Sequence, residues 1–326
     1  MARMTMVNAL NLALRQEMEQ DPDVIMLGED VGVDGGVFRV TDELVDLFGK
    51  SRVIDTPLAE SGIIGMAVGM AAYGLKPVAE IQFSGFIYEG FHQLESHAAR
   101  LRKRSQGRFN VPMVLRAPYA GGVRALEHHS ESREAYYAHT PGLKIAIPSG
   151  PRNARALLLG AIRDPDPVVF LEPKSIYRAF REDVPEDEEV LPIGESQIAR
   201  EGDDVTLISY GAMMRPTLEA AERLEVEDGV QADVIDLLTI SPLDDAKFTA
   251  SARKTGRVVV IHEANRSFGA GAEVVARLNE KSFWYLEAPI HRVAGYDLIF
   301  PLFAREKAYL PDADRIVRAA RETLAA

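Results

Sequence analysis

The chain has 326 residues, 47% hydrophobic and 26% charged, with a formal net charge of −12 and no cysteine. That length suggests two domains and can bury large cores without covalent staples. The lack of cysteine excludes disulfides, cysteine-ligated zinc, iron–sulfur clusters and thiol nucleophiles, and the acidic balance lacks the basic footprint of a nucleic-acid binder.

Met1–Met6 runs straight into a helical pattern with no signal-peptide core, and no apolar run approaches the ~20 residues that span a bilayer. The chain therefore reads as cytoplasmic, with no membrane partner. Asn8–Glu19 is an amphipathic helix with Leu10, Leu14 and Met18 on one stripe. A strand at Val24–Leu27 enters a glycine-rich loop, Gly28–Gly36. A helix at Thr41–Phe48 stops at Gly49, and Arg52–Asp55 is a short strand. Gly62, Gly65 and Gly69 then fall in a helix that is apolar nearly all round and predicted to be buried. Glycine costs about 1 kcal/mol against alanine inside a helix, so the glycines imply close packing, within one domain or at a subunit interface. Next come a strand at Pro77–Phe83, a long helix at Tyr88–Lys103, and strands at Val111–Arg116 and Lys144–Ile147. A helix at Asn153–Arg163 and a strand at Val168–Leu171 follow.

Residues 181–192 are acidic and carry two prolines, which reads as a linker between domains at 1–180 and 193–326. Beyond it, strands at Asp204–Tyr210, Ala232–Leu237 and Arg257–Ile261 alternate with helices at Pro216–Glu225, Asp244–Lys254 and Gly271–Lys281. A strand at Ile290–Val293 and a helix from Asp312 end the pattern. This alternation predicts an α/β protein with two parallel-sheet, three-layer domains.

Several chemistries find no motif. Val258–Ile261 leads to Gly269-Ala270-Gly271, but the third glycine of a dinucleotide fingerprint is missing and the loop is too long. The two glycines instead predict a helix starting close against a neighbour. No nucleophile elbow or phosphate loop occurs. His92 and His97 are five apart, and His128 and His129 are adjacent, so neither pair has zinc spacing on a regular helix. The basic run Arg100–Arg108 reads as a solvated helix end or a dock for an acidic partner.

Three segments carry chemistry. In Asp55-Thr56-Pro57-Leu58-Ala59-Glu60-Ser61-Gly62, a glutamate opens an apolar helix. It is either a carboxylate favoured by the helix dipole or a partly desolvated group that exchanges a proton. Glu80–Tyr88 is a strand end opening an aromatic loop, the place where parallel sheets bind ligands. Gly121–Arg124, Glu127–Ser132 and Ala138–Lys144 put histidines in polar loops, as surface decoration, a general acid or an oxyanion partner.

Together D-T-P-L-x-E-x-G-I-x-G, E-I-Q-F, H-S-x-S-x-E-A, H-T-P-G-L-K and D-P-D-P-V-V-F-L-E-P-K resemble the β subunit of the thiamine-diphosphate-dependent, decarboxylating component of 2-oxo acid dehydrogenase complexes, nearly end to end. The resemblance implies a transketolase-like pyrimidine-binding domain followed by a transketolase C-terminal-like domain. It implies that Glu60 holds the aminopyrimidine ring of thiamine diphosphate so that the ring can take up a proton. Phe86 stands where the family often has a tyrosine that stacks on this ring, and Gln82 joins the cofactor-binding set. His129 matches the histidine that assists acyl transfer to lipoyl groups. Asp164 and Asp166, with the Ala161 carbonyl, match a structural potassium site of some members, although Asp166 replaces the usual asparagine.

The G-D-G motif that holds magnesium and the diphosphate is absent from the sequence. In this family it lies on an α subunit, so the resemblance implies an α2β2 heterotetramer docked on a lipoyl acyltransferase core. The glycine helix is the natural candidate for the α contact. The expected activity is oxidative decarboxylation of a 2-oxo acid, leaning to branched-chain acids over pyruvate. The alternatives are an acetoin dehydrogenase β subunit, a split transketolase-like protein, or a non-catalytic assembly protein on the same fold.

Overall fold

A short strand, β1 (Ala2–Met4), leads into helix α1 (Met6–Gln20), whose start is capped where Thr5 Oγ1 accepts from the Asn8 N–H at 3.4 Å. The computed structural model describes residues 1–187 and 189–326; Glu188, inside the predicted linker, lies outside the described residues. The described chain forms two compact units. The first comprises Met1–Tyr119 and Tyr136–Ile193, the second Ala120–Ala135 and Gly194–Ala326.

In the first unit, chain order continues with β2 (Val24–Gly28), α2 (Leu44–Phe48), β3 (Val53–Asp55), α3 (Glu60–Tyr73), β4 (Lys76–Glu80), α4 (Ile87–Gln93), α5 (Ala99–Arg104) and β5 (Val114–Tyr119). A short helix α6 (Glu134–Ala138), whose first two residues belong to the second unit, β6 (Lys144–Ala146), α7 (Pro151–Arg163), β7 (Val168–Pro173) and β8 (Glu182–Val184) follow. The strands lie in the order β6-β7-β5-β4-β2-β3, all parallel. Val114–Tyr119 and Val168–Pro173 are buried along their whole length, as strands covered on both faces must be. Helix α1 packs against α7, with Leu10 and Leu14 fully buried. The pair is tied by Arg163 Nη2 to Glu17 Oε1 at 2.6 Å and Arg155 Nη2 to Gln16 Oε1 at 2.8 Å.

Three sequence expectations change here. Helix α3 is buried on one face only. Ile63, Ile64, Ala67, Val68 and Ala71 are inside, while Ser61, Gly62, Met66, Gly69 and Tyr73 are exposed. The physical reason is one-sided packing: α4 lies so close that a Cβ on Gly90 would meet the Ile64 side chain, whereas one on Gly69 would meet nothing within 4 Å. The predicted helix 88–103 is interrupted by a π-turn at Leu94–Ala98. Its wider turn brings the His92 and His97 rings to 5.4 Å despite their spacing of five. Among the described residues, no group of three or more metal-ligating side chains comes together. Inside the stretch read as linker, β8 pairs antiparallel with β1, a strand too short to stand out in the sequence.

The second unit contains β9 (Gln197–Arg200), β10 (Val205–Ser209), α8 (Met214–Asp228), β11 (Ala232–Asp236), β12 (Thr239–Ser241), α9 (Asp245–Thr255) and β13 (Val258–Asn265). It ends with α10 (Ala270–Ser282), β14 (His291–Gly295), α11 (Glu306–Tyr309) and α12 (Ala313–Leu324). Its sheet order is β14-β13-β10-β11-β9, parallel except for the unpredicted antiparallel edge strand β9. Helices α8 and α12 pack together, as do α9 and α10. Among the described residues no helix is long and apolar enough to cross a membrane.

The neighbour expected beside Gly269 and Gly271 is the ring of His262. A Cβ on Gly269 would lie 2.7 Å from its Cε1, and one on Gly271 2.5 Å from its Cδ2. Burial holds the His262 imidazole down to about 4, with the charge of Arg292 adding to the effect. Its folded value lies below the ordinary imidazole value of 6.5. This residue therefore contributes stability that is fully present above pH 6.5 and lost as pH falls towards 4. Between pH 7 and pH 5 the loss is about 2 kcal/mol. His262→Asn should flatten that part of the pH–stability curve by about this amount in urea unfolding; an unchanged slope would remove His262 from the acid response.

Candidate active site

The order of strands reverses at β2. The chain goes from β2 to β3 on one side, then crosses to β4 on the other. In doubly wound sheets the crevice at such a switch point, beyond the carboxyl ends of the strands, is where ligands sit. Here the strand ends bring together Gly28, Asp55 and Glu80, which are partners in register. The loop after β2 carries Glu29 and Asp30, and the loop after β4 carries Gln82 and Phe86.

Glu60 is the first residue of α3 and is only 8% exposed. The helix dipole favours a carboxylate there. Glu29, which belongs to no motif and reads in the sequence as part of a glycine-rich loop, is also buried, and its Oε1 has no hydrogen-bond partner among the described residues. Burial pushes the Glu29 carboxyl up; the charges of Glu60 and then Asp30 push the same way. Two buried carboxyls thus sense each other where one was expected.

The loop between them is held by backbone chemistry. Asp55 accepts from the Gly32 N–H at 2.6 Å and the Val33 N–H at 3.2 Å. Gly28 adopts φ 159° where a Cβ would sit 2.7 Å from the Glu80 carbonyl. Gln82 Nε2 donates to Asp30 Oδ2 at 3.1 Å, which ties the two switch-point loops together. Phe86 closes a 3-10 turn, half-buried, with its ring edge-on to Phe83 at 6.2 Å. Phe83 in turn meets Phe38 at 5.8 Å, and Phe38 meets Tyr177 at 5.1 Å.

Beneath this crevice lies a buried charge network that spacing does not reveal. Arg116 donates to Glu80 Oε2 at 2.7 Å and to Glu172 through Nε at 2.7 Å and Nη2 at 3.0 Å. Tyr177 Oη donates to Glu172 Oε2 at 2.6 Å. Two carboxyls share one guanidinium, and burial pushes Glu80 up despite the attraction of Arg116.

The residues expected at a potassium site lie in one turn. Asp164 N donates to the Ala161 carbonyl at 3.3 Å, and Asp166 N to Asp164 Oδ1 at 2.9 Å. The two carboxylates already share the Lys144 ammonium, 2.7 Å from Asp164 and 3.3 Å from Asp166. Arg102 adds a contact to Asp166 at 2.6 Å. Their charge is balanced within the chain, so these side chains fit a salt-bridge cluster better than a cation site.

His129 belongs to the second unit, in the loop Ala120–Ala135. A 3-10 turn at Glu127–His129 holds it, half-buried, with its ring stacked on His128 at 4.8 Å. At the end of this loop the fully buried Glu134 accepts from Tyr210 Oη at 2.5 Å. Tyr210 lies parallel to the His262 ring at 6.4 Å.

Residues 2–179 match the transketolase pyrimidine-binding domain and residues 194–316 the transketolase C-terminal domain. The pyruvate dehydrogenase E1 component subunit β of Staphylococcus aureus is 50% identical over 324 residues, 99% of each chain. That of Staphylococcus epidermidis is 51% identical over 324 residues, again 99% of each. That of Acholeplasma laidlawii is 49% identical over 316 residues, 97% of this chain and 96% of the relative. A solved split-gene transketolase, described as an inactive β4 tetramer, superposes with TM-score 0.81 at 24% identity, covering 99% of both chains; at that identity the likeness concerns the fold. The E1 relatives are of pyruvate type, so the leaning to branched-chain acids finds no support; the motifs behind it do not sort substrates by size. The chain belongs to the β subunits of 2-oxo acid dehydrogenase E1 components, thiamine-diphosphate-dependent proteins built from transketolase pyrimidine-binding and C-terminal domains.

Proposed function

We propose that this chain is the β subunit of a pyruvate dehydrogenase, active with a separate α subunit in an α2β2 assembly that passes acyl groups to a lipoyl acyltransferase. The observation that carries the proposal is the buried Glu60 at the switch-point crevice, beside the orphaned carboxyl oxygen of Glu29. These groups suit the pyrimidine end of thiamine diphosphate. When bound, the cofactor supplies the electron sink for decarboxylation.

The chain's own residues supply the rest. Glu60 holds a proton at the pyrimidine ring. Phe86 offers an aromatic face, and the Phe83–Phe38–Tyr177 cluster keeps that side of the crevice apolar. Gln82, bound to Asp30, fixes the loops on either side. His129 serves the later transfer to lipoyl as a proton donor. Magnesium and the diphosphate fall to the α subunit, because the sequence lacks their motif. The exposed Gly62–Met66–Gly69–Tyr73 face of α3 is the surface we assign to a partner subunit.

The test is co-expression with an α subunit that carries the diphosphate motif, then assay with thiamine diphosphate, magnesium and a panel of 2-oxo acids. Pyruvate should exceed branched-chain acids in kcat/KM by at least about tenfold, the discrimination that one or two methylenes provide. A preference for branched-chain acids, or failure of any α subunit to co-purify, overturns the assignment.

A further inference from the structure

We propose that Glu263 and Glu306 are positioning residues that clamp the loop Ala120–Ala135 and thereby hold His129 for acyl transfer; this rests on the role of His129 given above. Every contact in the argument lies within the second unit.

The loop is sixteen residues long in a region with little regular structure, and a segment of that kind is mobile unless its backbone is tied down. Two buried carboxylates tie it. Glu263, on β13, accepts from the Gly121 N–H at 2.5 Å. Glu306, opening α11, accepts from the Arg124 N–H through both oxygens, at 3.0 and 3.3 Å. The carboxylates are 5% and 4% exposed. A hydrogen bond to a charged acceptor away from water is among the stronger ties a backbone can make.

The backbone is bent to reach them. Ala120 and Arg124 adopt φ of 69° and 58°, and Gly122 between them 89°. Non-glycine residues persist in that region only where their surroundings fix them. Behind the clamp, a Cβ on Gly121 would strike the Phe300 ring, so only glycine allows the approach to Glu263. Phe300 packs on Tyr309 at 4.9 Å. Burial and the nearby Glu263 charge push the Tyr309 phenol up to about 12, so it stays neutral there. The loop is closed further along, where the Ala120 N–H donates to the Glu131 carbonyl at 3.3 Å and the His129 N–H to Leu126 at 3.1 Å. His129 therefore sits on a closed loop whose first turn is fixed by carboxylates, and whose orientation depends on them.

Two measurements test this. In the full-length chain, amide exchange of residues 121–133 should accelerate about tenfold or more in Glu306→Ala and Glu263→Ala, while β10 amides keep their protection. Glu306→Gln retains one acceptor and should fall between. In the assembled enzyme, the same variants should lose acyl transfer to a lipoyl substrate at least about tenfold more than decarboxylation read with an artificial electron acceptor, with Gln again intermediate. Unchanged loop exchange overturns the clamp. Faster loop exchange with equal losses in both half-reactions overturns its link to acyl transfer. If His129→Ala also leaves acyl transfer intact, the reading of His129 has failed while the clamp itself stands.

Discussion

Glu60→Gln should lower decarboxylation by the assembled enzyme roughly a hundred- to ten-thousandfold, the range that a positioned acid–base group contributes, with the fold intact. The amide keeps the shape of the side chain at the start of α3 but cannot take or give the proton. The variant also removes a charge that pushes Glu29 up, so the Glu29 carboxyl should move back towards its ordinary value, though burial, the larger cause, still holds it high. Single-turnover decarboxylation with saturating thiamine diphosphate reads the first effect, and carboxylate-resolved NMR or difference infrared spectroscopy reads the second. A decarboxylation rate equal to wild type would sink the catalytic assignment of Glu60. Loss of rate with no response of Glu29 would sever the coupling of the two carboxyls.

The largest stability effect is expected at Arg116, which is 1% exposed between Glu80 and Glu172. Arg116→Met leaves two buried carboxyls without a counter-charge and should cost about 3–5 kcal/mol, the usual penalty for removing one partner of a buried ion pair. The pH dependence has a definite sign. Glu80 is held above the ordinary carboxyl value of 4.5 in the folded protein, so its contribution is fully present below pH 4.5 and shrinks as pH rises through the folded value. Without the guanidinium that value rises further, so the variant should be weakest at neutral and alkaline pH and recover partly towards pH 5. Urea unfolding followed by circular dichroism at pH 5 and pH 8 measures this. Adding Glu80→Gln should restore part of the loss by removing one orphaned charge, and no restoration would mean that packing rather than charge sets the cost.

The contrast between Glu60 and Arg116 shows what a sequence exposes. Glu60 is legible because it opens an apolar helix directly after a strand and a Thr-Pro turn, a local pattern. The strand ends at Gly28, Asp55 and Glu80 are legible for the same reason, since mostly buried parallel strands read as short apolar runs. Arg116 sits in such a run, but its partners are 36 and 56 residues away, and nothing local pairs them. The loop clamps lie further out, with Gly121 and Glu263 separated by 142 residues and Arg124 and Glu306 by 182. The π-turn at Leu94–Ala98 defeated a periodicity argument, because a single wide turn changes which residues share a face. For α3, the glycine spacing leaves packing within the domain and a subunit interface both open, because hydrophobicity alone does not say whether the covering surface comes from the same chain.

The pairing of α1 with α7 has a consequence for biosynthesis. Arg163 and Glu17, which join the two helices, are 146 residues apart. A ribosome adding 5–20 residues per second needs roughly 7 to 30 s between them. For that interval Leu10, Leu14 and Met18 have been made but the helix that covers them has not. The strand Ala2–Met4 waits longer still, since its partner ends at Val184. The apolar face of α1 thus stays uncovered until α7 has been made, and a chaperone acting on this nascent polypeptide would find its binding site on that face.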